Sequence, residues 1–381
     1  MTTPIYLDHN ATTPVAGPVV AATARALEEC YGNPSSPHRQ GQEAAAQLST
    51  ARESVARLIG ASVDSLVMTG CATEANNLAL LGVAAAAPAN RRHLVISAVE
   101  HPAVMEPARH LETQGWELSV VPVDAAGRVS VDEVMAAVRP DTVLVSIMLA
   151  NNEVGTLQPL TDIAARLAGS ATLLHTDAAQ AVGKVPVDVE ALGVDLFTLA
   201  GHKFQASKGI GALHVRSGTP IRRILFGAGH EHGLRPGTEN VPAIVGLGAA
   251  AELAAQRLAA GVGELQARRD RLHECLRRDI PGLALNGHET HRLPNTLNVS
   301  FPGVEGRALL KAVERAVAAS VGSACHADQA APSGVLGAMG LTTERALGAV
   351  RFSVGWETPL DDIDRAAECL IQAWQRLSCL S

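Results

Sequence analysis

Lys203 is the residue from which chemistry can first be read in this chain. It closes the run Asp195-Leu196-Phe197-Thr198-Leu199-Ala200-Gly201-His202-Lys203, and Lys208-Gly209-Ile210-Gly211 follows at once. The middle of that run, apolar apart from Thr198, reads as a buried strand that stops at a His-Lys pair. In an open α/β sheet, ligands bind in the crevice beyond the carboxyl ends of the strands. A lysine held there, partly desolvated and beside a second cationic group, releases its proton readily and acts as an amine nucleophile. Such an amine forms Schiff bases, with carbonyl substrates or with pyridoxal phosphate. On this stretch alone, an exposed loop lysine remains the alternative.

Five more polar residues stand just past expected strand ends: Thr73, His101, Asn152, Asp177 and His202. With Lys203 they outline a ligand crevice. Asp177 has two readings. It caps the next helix, or, paired with a Schiff-base lysine, it holds a pyridine nitrogen protonated so that the ring acts as an electron sink. Gly70-Cys71-Ala72-Thr73 opens a helix and offers backbone N–H groups and a hydroxyl to a phosphate. His230-Glu231-His232 has metal-ligand spacing, but no acid or cysteine partner is suggested nearby in sequence, so no metal is expected.

The elements that position these groups alternate along the chain. Strands are expected at 65–69, 93–97, 118–123, 142–148, 171–175 and 210–215, separated by helices at 17–30, 40–59, 74–87, from 102 to about 114, 130–138 and 161–168. Continuous apolar strands between helices predict a mostly parallel sheet covered on both faces. A long helical stretch follows from Pro242, interrupted near Gly261 and Gly263. Beyond it, strands at 296–301 and 350–354 mix with helices at 305–318 and 361–377, which reads as a smaller α+β unit.

Length and composition set the class. A chain of 381 residues is long enough for two domains. Hydrophobic content of 47% with 18% charged residues is a globular composition. A net charge of −7 and 3% aromatics argue against a nucleic-acid partner. Arg268, Arg269, Arg271, Arg277 and Arg278 read as the solvated face of a helix. No signal peptide is visible, and no apolar run is expected to reach the ~20 residues that span a bilayer, so no membrane partner is expected. Six scattered cysteines without a C-x-x-C pair suggest reduced thiols and a cytoplasmic location.

At this point the motifs carry a family resemblance. The chain resembles the cysteine desulfurases of the NifS/IscS type, within the aminotransferase class V, fold-type I pyridoxal-phosphate enzymes. The resemblance runs nearly end to end: Tyr6-Leu7-Asp8 with Ala11-Thr12-Thr13-Pro14, Gly32-Asn33-Pro34-Ser35-Ser36, Ala72-Thr73-Glu74, Glu100-His101, Asn151-Asn152-Glu153-Val154-Gly155, His175-Thr176-Asp177-Ala178-Ala179-Gln180, Gly201-His202-Lys203, Arg235-Pro236-Gly237-Thr238-Glu239-Asn240, Gly322-Ser323-Ala324-Cys325 and Arg351-Phe352-Ser353-Val354-Gly355. Any one of these is weak; all in order are specific.

The resemblance implies a large pyridoxal-phosphate-binding domain at 14–257 with a seven-stranded sheet. It implies a small domain formed by 1–13 and 258–381. Lys203 carries the cofactor and moves protons at the substrate carbon. Asp177 pairs with the pyridine nitrogen and His101 stacks on the ring. Gln180 and Asn152 bond near the ring oxygen and the substrate. Ala72, Thr73 and His202 serve the phosphate, as does Thr238 of a neighbouring subunit, which implies a homodimer. Arg351 clamps the substrate carboxylate. Cys325 takes the sulfur of L-cysteine as a persulfide, releases alanine, and passes the sulfur to an acceptor protein, for iron–sulfur cluster assembly among other destinations.

Three residues depart from the pattern. Ala200 stands where a phosphate-binding Ser is frequent, Cys71 where the turn is usually Gly, and Trp356 where an Arg is common. Ala200, with 148–153 and 325–328, resembles the selenocysteine lyases. A selenocysteine lyase and a catalytically silent scaffold therefore stand as alternatives.

Overall fold

The computed structural model describes residues 4–322 and 333–379. Its main sheet has seven strands, in the order Leu66–Thr69, Gly211–Val215, Leu196–Ala200, Leu173–Asp177, Thr142–Ser146, His93–Ser97 and Glu117–Val121. Gly211–Val215 runs antiparallel to both of its neighbours, while the five strands from Leu196–Ala200 to Glu117–Val121 pair in parallel. The strands at His93–Ser97, Thr142–Ser146 and Leu196–Ala200 are buried at every position. That is the physical reason they lack alternation: with helices on both faces, neither side of the strand meets water.

A second, antiparallel sheet orders Ala349–Ser353, Thr296–Ser300 and Ala284–Asn286. Its core contains Leu297, Val299, Phe301, Val350 and Phe352, closed by helices Gly263–Asp279 and Leu360–Ser378. Leu7, near the amino terminus, is fully buried in this same core. Ile5–Tyr6 pairs in parallel with Val317–Ala318, so the start of the chain is stitched to the second unit before it runs to the first.

Helix Val241–Ala260 packs on helices Gly17–Glu29 and Arg39–Leu58. A Cβ on Gly248 would lie 2.7 Å from Ala51 Cα, so this crossing depends on the missing side chain. By length and composition alone, Val241–Ala260 is long and apolar enough to cross a membrane, contrary to the expectation that no run approached that length. Its apolar residues, among them Ile244, Leu247 and Ala251, are instead spent on the main core.

Several expected elements differ. The helix expected at 305–318 stops at Val313, and Val317–Ala318 is a strand because the carbonyls of Ala316 and Ala318 accept from Ile5 and Leu7 N–H groups at 2.8 Å. The strand Ala284–Asn286 and helices Gly334–Ala338 and Thr343–Leu347 are additional to the expected elements. The arginine face is not wholly solvated: Arg269 is buried and donates to the Leu293 carbonyl at 2.9 Å.

Gly248→Val forces the two helices apart against backbone, an overpacking that costs about 1–3 kcal/mol. We expect a lower thermal unfolding midpoint by calorimetry, and an unchanged midpoint would place the crossing elsewhere.

Candidate active site

The parallel strands of the main sheet end on one side, and the residues that follow them carry the candidate groups. Strand Leu196–Ala200 ends in a single 3₁₀ turn, Gly201–Lys203, in which a Cβ on Gly201 would meet Ile210 Cγ2 at 2.9 Å. That tight turn directs Lys203 toward residues 10–13. Lys203 Nζ donates to the carbonyls of Asn10 (2.6 Å) and Ala11 (2.9 Å). The segment is fastened in return, since Thr13 N and Oγ1 both donate to the His202 carbonyl.

Asp177 ends the neighbouring strand Leu173–Asp177 and is buried. Its Oδ1 accepts from Ala179 N at 2.9 Å and its Oδ2 from Asn76 Nδ2 at 2.7 Å. Asn76 Oδ1 is itself buried without a partner among the described residues. Gln180, one turn further on, donates Nε2 to the Asn10 carbonyl (2.9 Å) and accepts at Oε1 from Lys184 Nζ (2.6 Å).

Helix Ala72–Ala86 begins directly after strand Leu66–Thr69, and Cys71 at its cap supplies no side-chain bond to the first N–H groups. The Ala72 and Thr73 end of this helix therefore presents uncapped donors. A Cβ on Gly211 beneath it would lie 3.0 Å from Cys71 C and 3.1 Å from Ala72 N. His202 is half-buried beside Thr12 Oγ1 at 3.1 Å. Burial first, then the charges of Lys203, Lys208 and Lys184, push His202 down to about 4, so it is neutral near pH 7.

His101 caps helix Pro102–Thr113 through Nδ1, which accepts from Ala103 N at 3.1 Å and orients the ring. Asn152 is buried, and its carbonyl accepts from Asn10 Nδ2 and from Arg351 Nη1. Arg351 is almost wholly buried on strand Ala349–Ser353, with Nη2 donating to Asp8 Oδ1 at 2.6 Å. Its buried Nε has no acceptor among the described residues. One N–H of this guanidinium is thus unspent.

Thr238 is exposed on the loop that Arg235 Nε fastens to Glu74 Oε1 at 2.9 Å, and this chain alone does not bring it into the crevice. Cys325 lies outside the described residues. Of the departures, Ala200 is buried in its strand and Cys71 is exposed at the helix cap. The Trp356 ring has the Arg257 guanidinium 5.6 Å from its centroid.

Sequence reasoning missed four residues here. Asn10 reads in sequence only as part of a polar turn. Asn76 follows Thr73 by three positions on the same helix. Lys184 is the lone charge in Ala178–Val187, which was a usable signal. Glu100 is buried against Ser97 Oγ (2.5 Å) and Met148 N (2.9 Å), with Oε2 unpartnered among the described residues. Burial raises Glu100 to about 8, so it is protonated near neutral pH.

The donor set fits pyridoxal phosphate. An amine can take the aldehyde, a buried carboxylate the pyridine nitrogen, and an uncapped helix start over a glycine cradle the phosphate. A mostly parallel sheet carrying these groups at its strand ends defines a fold-type I pyridoxal-phosphate enzyme. The chain belongs to the aminotransferase class-V family, which it matches over residues 5–366. It is 43% identical over 378 residues to a cysteine desulfurase of Nostoc sp., covering 99% of this chain and 94% of the relative. Among solved structures, a NifS-like protein superposes with a TM-score of 0.91 at 37% identity, covering 99% of this chain and 100% of the other. SspA in complex with cysteine superposes with a TM-score of 0.81 at 33% identity, over 93% and 99% of the two chains.

Glu100 gives a pH signature. The folded protein keeps this proton up to about pH 8, whereas the unfolded chain releases it near 4.5, so raising pH between those values favours unfolding. Relative to Glu100→Gln, we expect the unsubstituted protein to lose stability across that window, with a slope of at most about 1.4 kcal/mol per pH unit. Denaturant unfolding at stepped pH reads the difference; a flat difference would mean that Glu100 ionises normally.

Proposed function

We propose that the protein is a pyridoxal-phosphate-dependent cysteine desulfurase that converts L-cysteine to L-alanine and leaves the sulfur on Cys325 as a persulfide. The observation that carries this reading is the gathering of Lys203, Gln180 and Arg351 on Asn10 and Asn152, with Asp177 held by Asn76 and Ala179 at the end of the neighbouring strand. When bound, pyridoxal phosphate supplies an electron sink for bonds breaking at the substrate.

The chain's own residues do the rest. Lys203 holds the cofactor and shuttles the proton at the substrate α-carbon. Asp177, oriented by Asn76 and Ala179 N, keeps a proton on the pyridine nitrogen. His101, fixed by its cap bond, covers the ring. Thr73, the Ala72 end of the helix and His202 hold the phosphate, joined by Thr238 of a partner subunit. Arg351 holds the substrate carboxylate, with Asn152 alongside. The Cys325 thiolate attacks the substrate sulfur: the S–S bond forms as the C–S bond breaks, and the former thiol-bearing carbon takes up a proton to give alanine. A thiolate is the form that can do this.

In this reading the enzyme is a cytoplasmic homodimer that hands sulfur to an acceptor protein, with iron–sulfur cluster assembly one destination. Residues 14–257 form the cofactor-binding unit, and 1–13 with 258–381 the small one. The burial of Leu7 in the second core and of Ala254 in the first supports that division.

Alanine release from L-cysteine by the loaded enzyme is the test. Undetectable turnover of cysteine beside turnover of L-selenocysteine would move the assignment to a selenocysteine lyase. Lys203→Ala should lose both the visible absorbance and all turnover. Cys325→Ser should stay yellow while sulfur transfer stops, and unchanged sulfide release from it would refute the persulfide step.

A further inference from the structure

We propose that Glu153 is a positioning residue for sulfur transfer: its carboxylate gathers Gly322 and Ser333, the residues that flank segment 323–332, and so fixes where the chain bearing Cys325 leaves the fold and re-enters it. The inference rests on reading Cys325 as the residue that takes the sulfur.

Glu153 is 5% exposed and directly follows Asn152. Its backbone is held at both polar groups: the N–H donates to Asn151 Oδ1 at 2.9 Å, and the carbonyl accepts from Asn298 Nδ2 at 3.1 Å. Its Oε2 accepts from Ser333 Oγ at 2.5 Å. On the other flank, a Cβ on Gly322 would lie 3.2 Å from the same Oε2 and 3.8 Å from Ser333 Cβ. The two flanks therefore meet each other and meet one carboxylate, although residues 323–332 lie between them in sequence.

The bond to Ser333 is more than a helix cap. Ser333 Oγ caps helix Gly334–Ala338 by accepting from Val335 N (3.1 Å) and Leu336 N (3.4 Å). Capping uses only the lone pairs of the hydroxyl; its single proton is left over, and that proton goes to Glu153. The neighbouring residues pack as well, since Val154 shares a core cluster with Val335, Leu336 and Met339.

The incoming flank is tied to the substrate side of the site. Ser320 and Arg351 exchange backbone bonds at 3.2 and 2.7 Å, and Ser320 Oγ donates to the Gly322 carbonyl at 2.8 Å. Arg351 Nη1 donates in turn to the carbonyl of Asn152, the residue before Glu153. The two flanks, Asn152 and the guanidinium proposed for the substrate carboxylate thus share one bonded frame. A nucleophile on a tether reacts at an effective concentration set by the length of the tether and by where its ends are held. Glu153 holds both ends on the frame that carries Arg351.

The test is Glu153→Ala in the full-length chain, with two readouts. The first needs no cofactor: amide hydrogen exchange followed by mass spectrometry. Peptides over 317–322 and 333–339 should both exchange roughly fivefold faster, as for the loss of one ordinary hydrogen bond, while helix Gly263–Asp279 is unchanged. Flanks that exchange as in the unsubstituted chain overturn the proposal. The second readout uses enzyme loaded with pyridoxal phosphate. Alanine release at saturating L-cysteine should fall at least about threefold, as for a tether that doubles in effective length. Half-saturation of the absorbance change that L-cysteine causes, measured in a Cys325→Ser background, should stay where it is. Unchanged alanine release, or weaker cysteine binding that accounts for the loss, overturns the proposal. If the alanine variant fails to fold, Ser333→Asp is read in its place with the same outcomes, because aspartate still caps the helix but has no proton to give Glu153. A loaded, unsubstituted enzyme that releases no alanine overturns the functional reading, and the exchange readout judges the placement of the flanks independently of it.

Discussion

Asn10 uses every hydrogen-bonding group it has, and the site depends on that. Its N–H donates to Ser353 Oγ, and its carbonyl accepts from Lys203 and Gln180. Its side-chain oxygen accepts from Lys184 and Asn295, and its side-chain nitrogen donates to Asn152 O and Thr296 Oγ1. Lys203, Gln180, Lys184 and Asn152 come from the main sheet's side, and Ser353, Asn295 and Thr296 from the smaller sheet's side. Buried networks of this kind are strong when complete and costly when broken, since each group left unpaired pays about 1–3 kcal/mol.

Charge follows the same geometry. Basic groups outnumber acidic ones around Asn10 and its neighbour Asn152, with Lys203, Lys184 and Arg351 against Asp8. Such an excess suits ligands that bring a phosphate and a carboxylate. His202 is neutral in the same surroundings because burial first, and then the charges of Lys203, Lys208 and Lys184, disfavour its proton.

Much of the frame was legible in the sequence, because a parallel strand covered on both faces must be apolar at every position, and such runs announce their ends. Lys203, Asp177, Thr73, His101 and Asn152 were found as the polar residues after those ends. The hub was not legible. Asn10 is 193 residues from Lys203, and nothing local in an Asp-His-Asn turn says which distant amines it will serve. Val317–Ala318 reads as helix from its own residues for a similar reason, since a two-residue strand exists only through its partner, Ile5–Tyr6. Arg269 sits among exposed arginines in sequence, yet its carbonyl acceptor comes from Leu293, on a segment with no local signal.

The placement of Arg351 has a structural cost that the hub repays. The guanidinium proposed for the substrate carboxylate rides on the smaller sheet, whereas the amine follows a strand of the larger, so the spacing of the two is set across the junction of two cores. Apolar packing is non-directional and would tolerate sliding between the cores. Hydrogen bonds weaken steeply as their angles open, so a junction built from them is far less tolerant. Asn10 and Asn152 place such bonds between Arg351 and Lys203 in unbroken sequence: guanidinium to Asn152 carbonyl, that carbonyl to the Asn10 amide, and the Asn10 carbonyl to the lysine. The relative placement of Arg351 and Lys203 is therefore a property of the amino-terminal segment that lies between the sheets, and neither sheet supplies it alone.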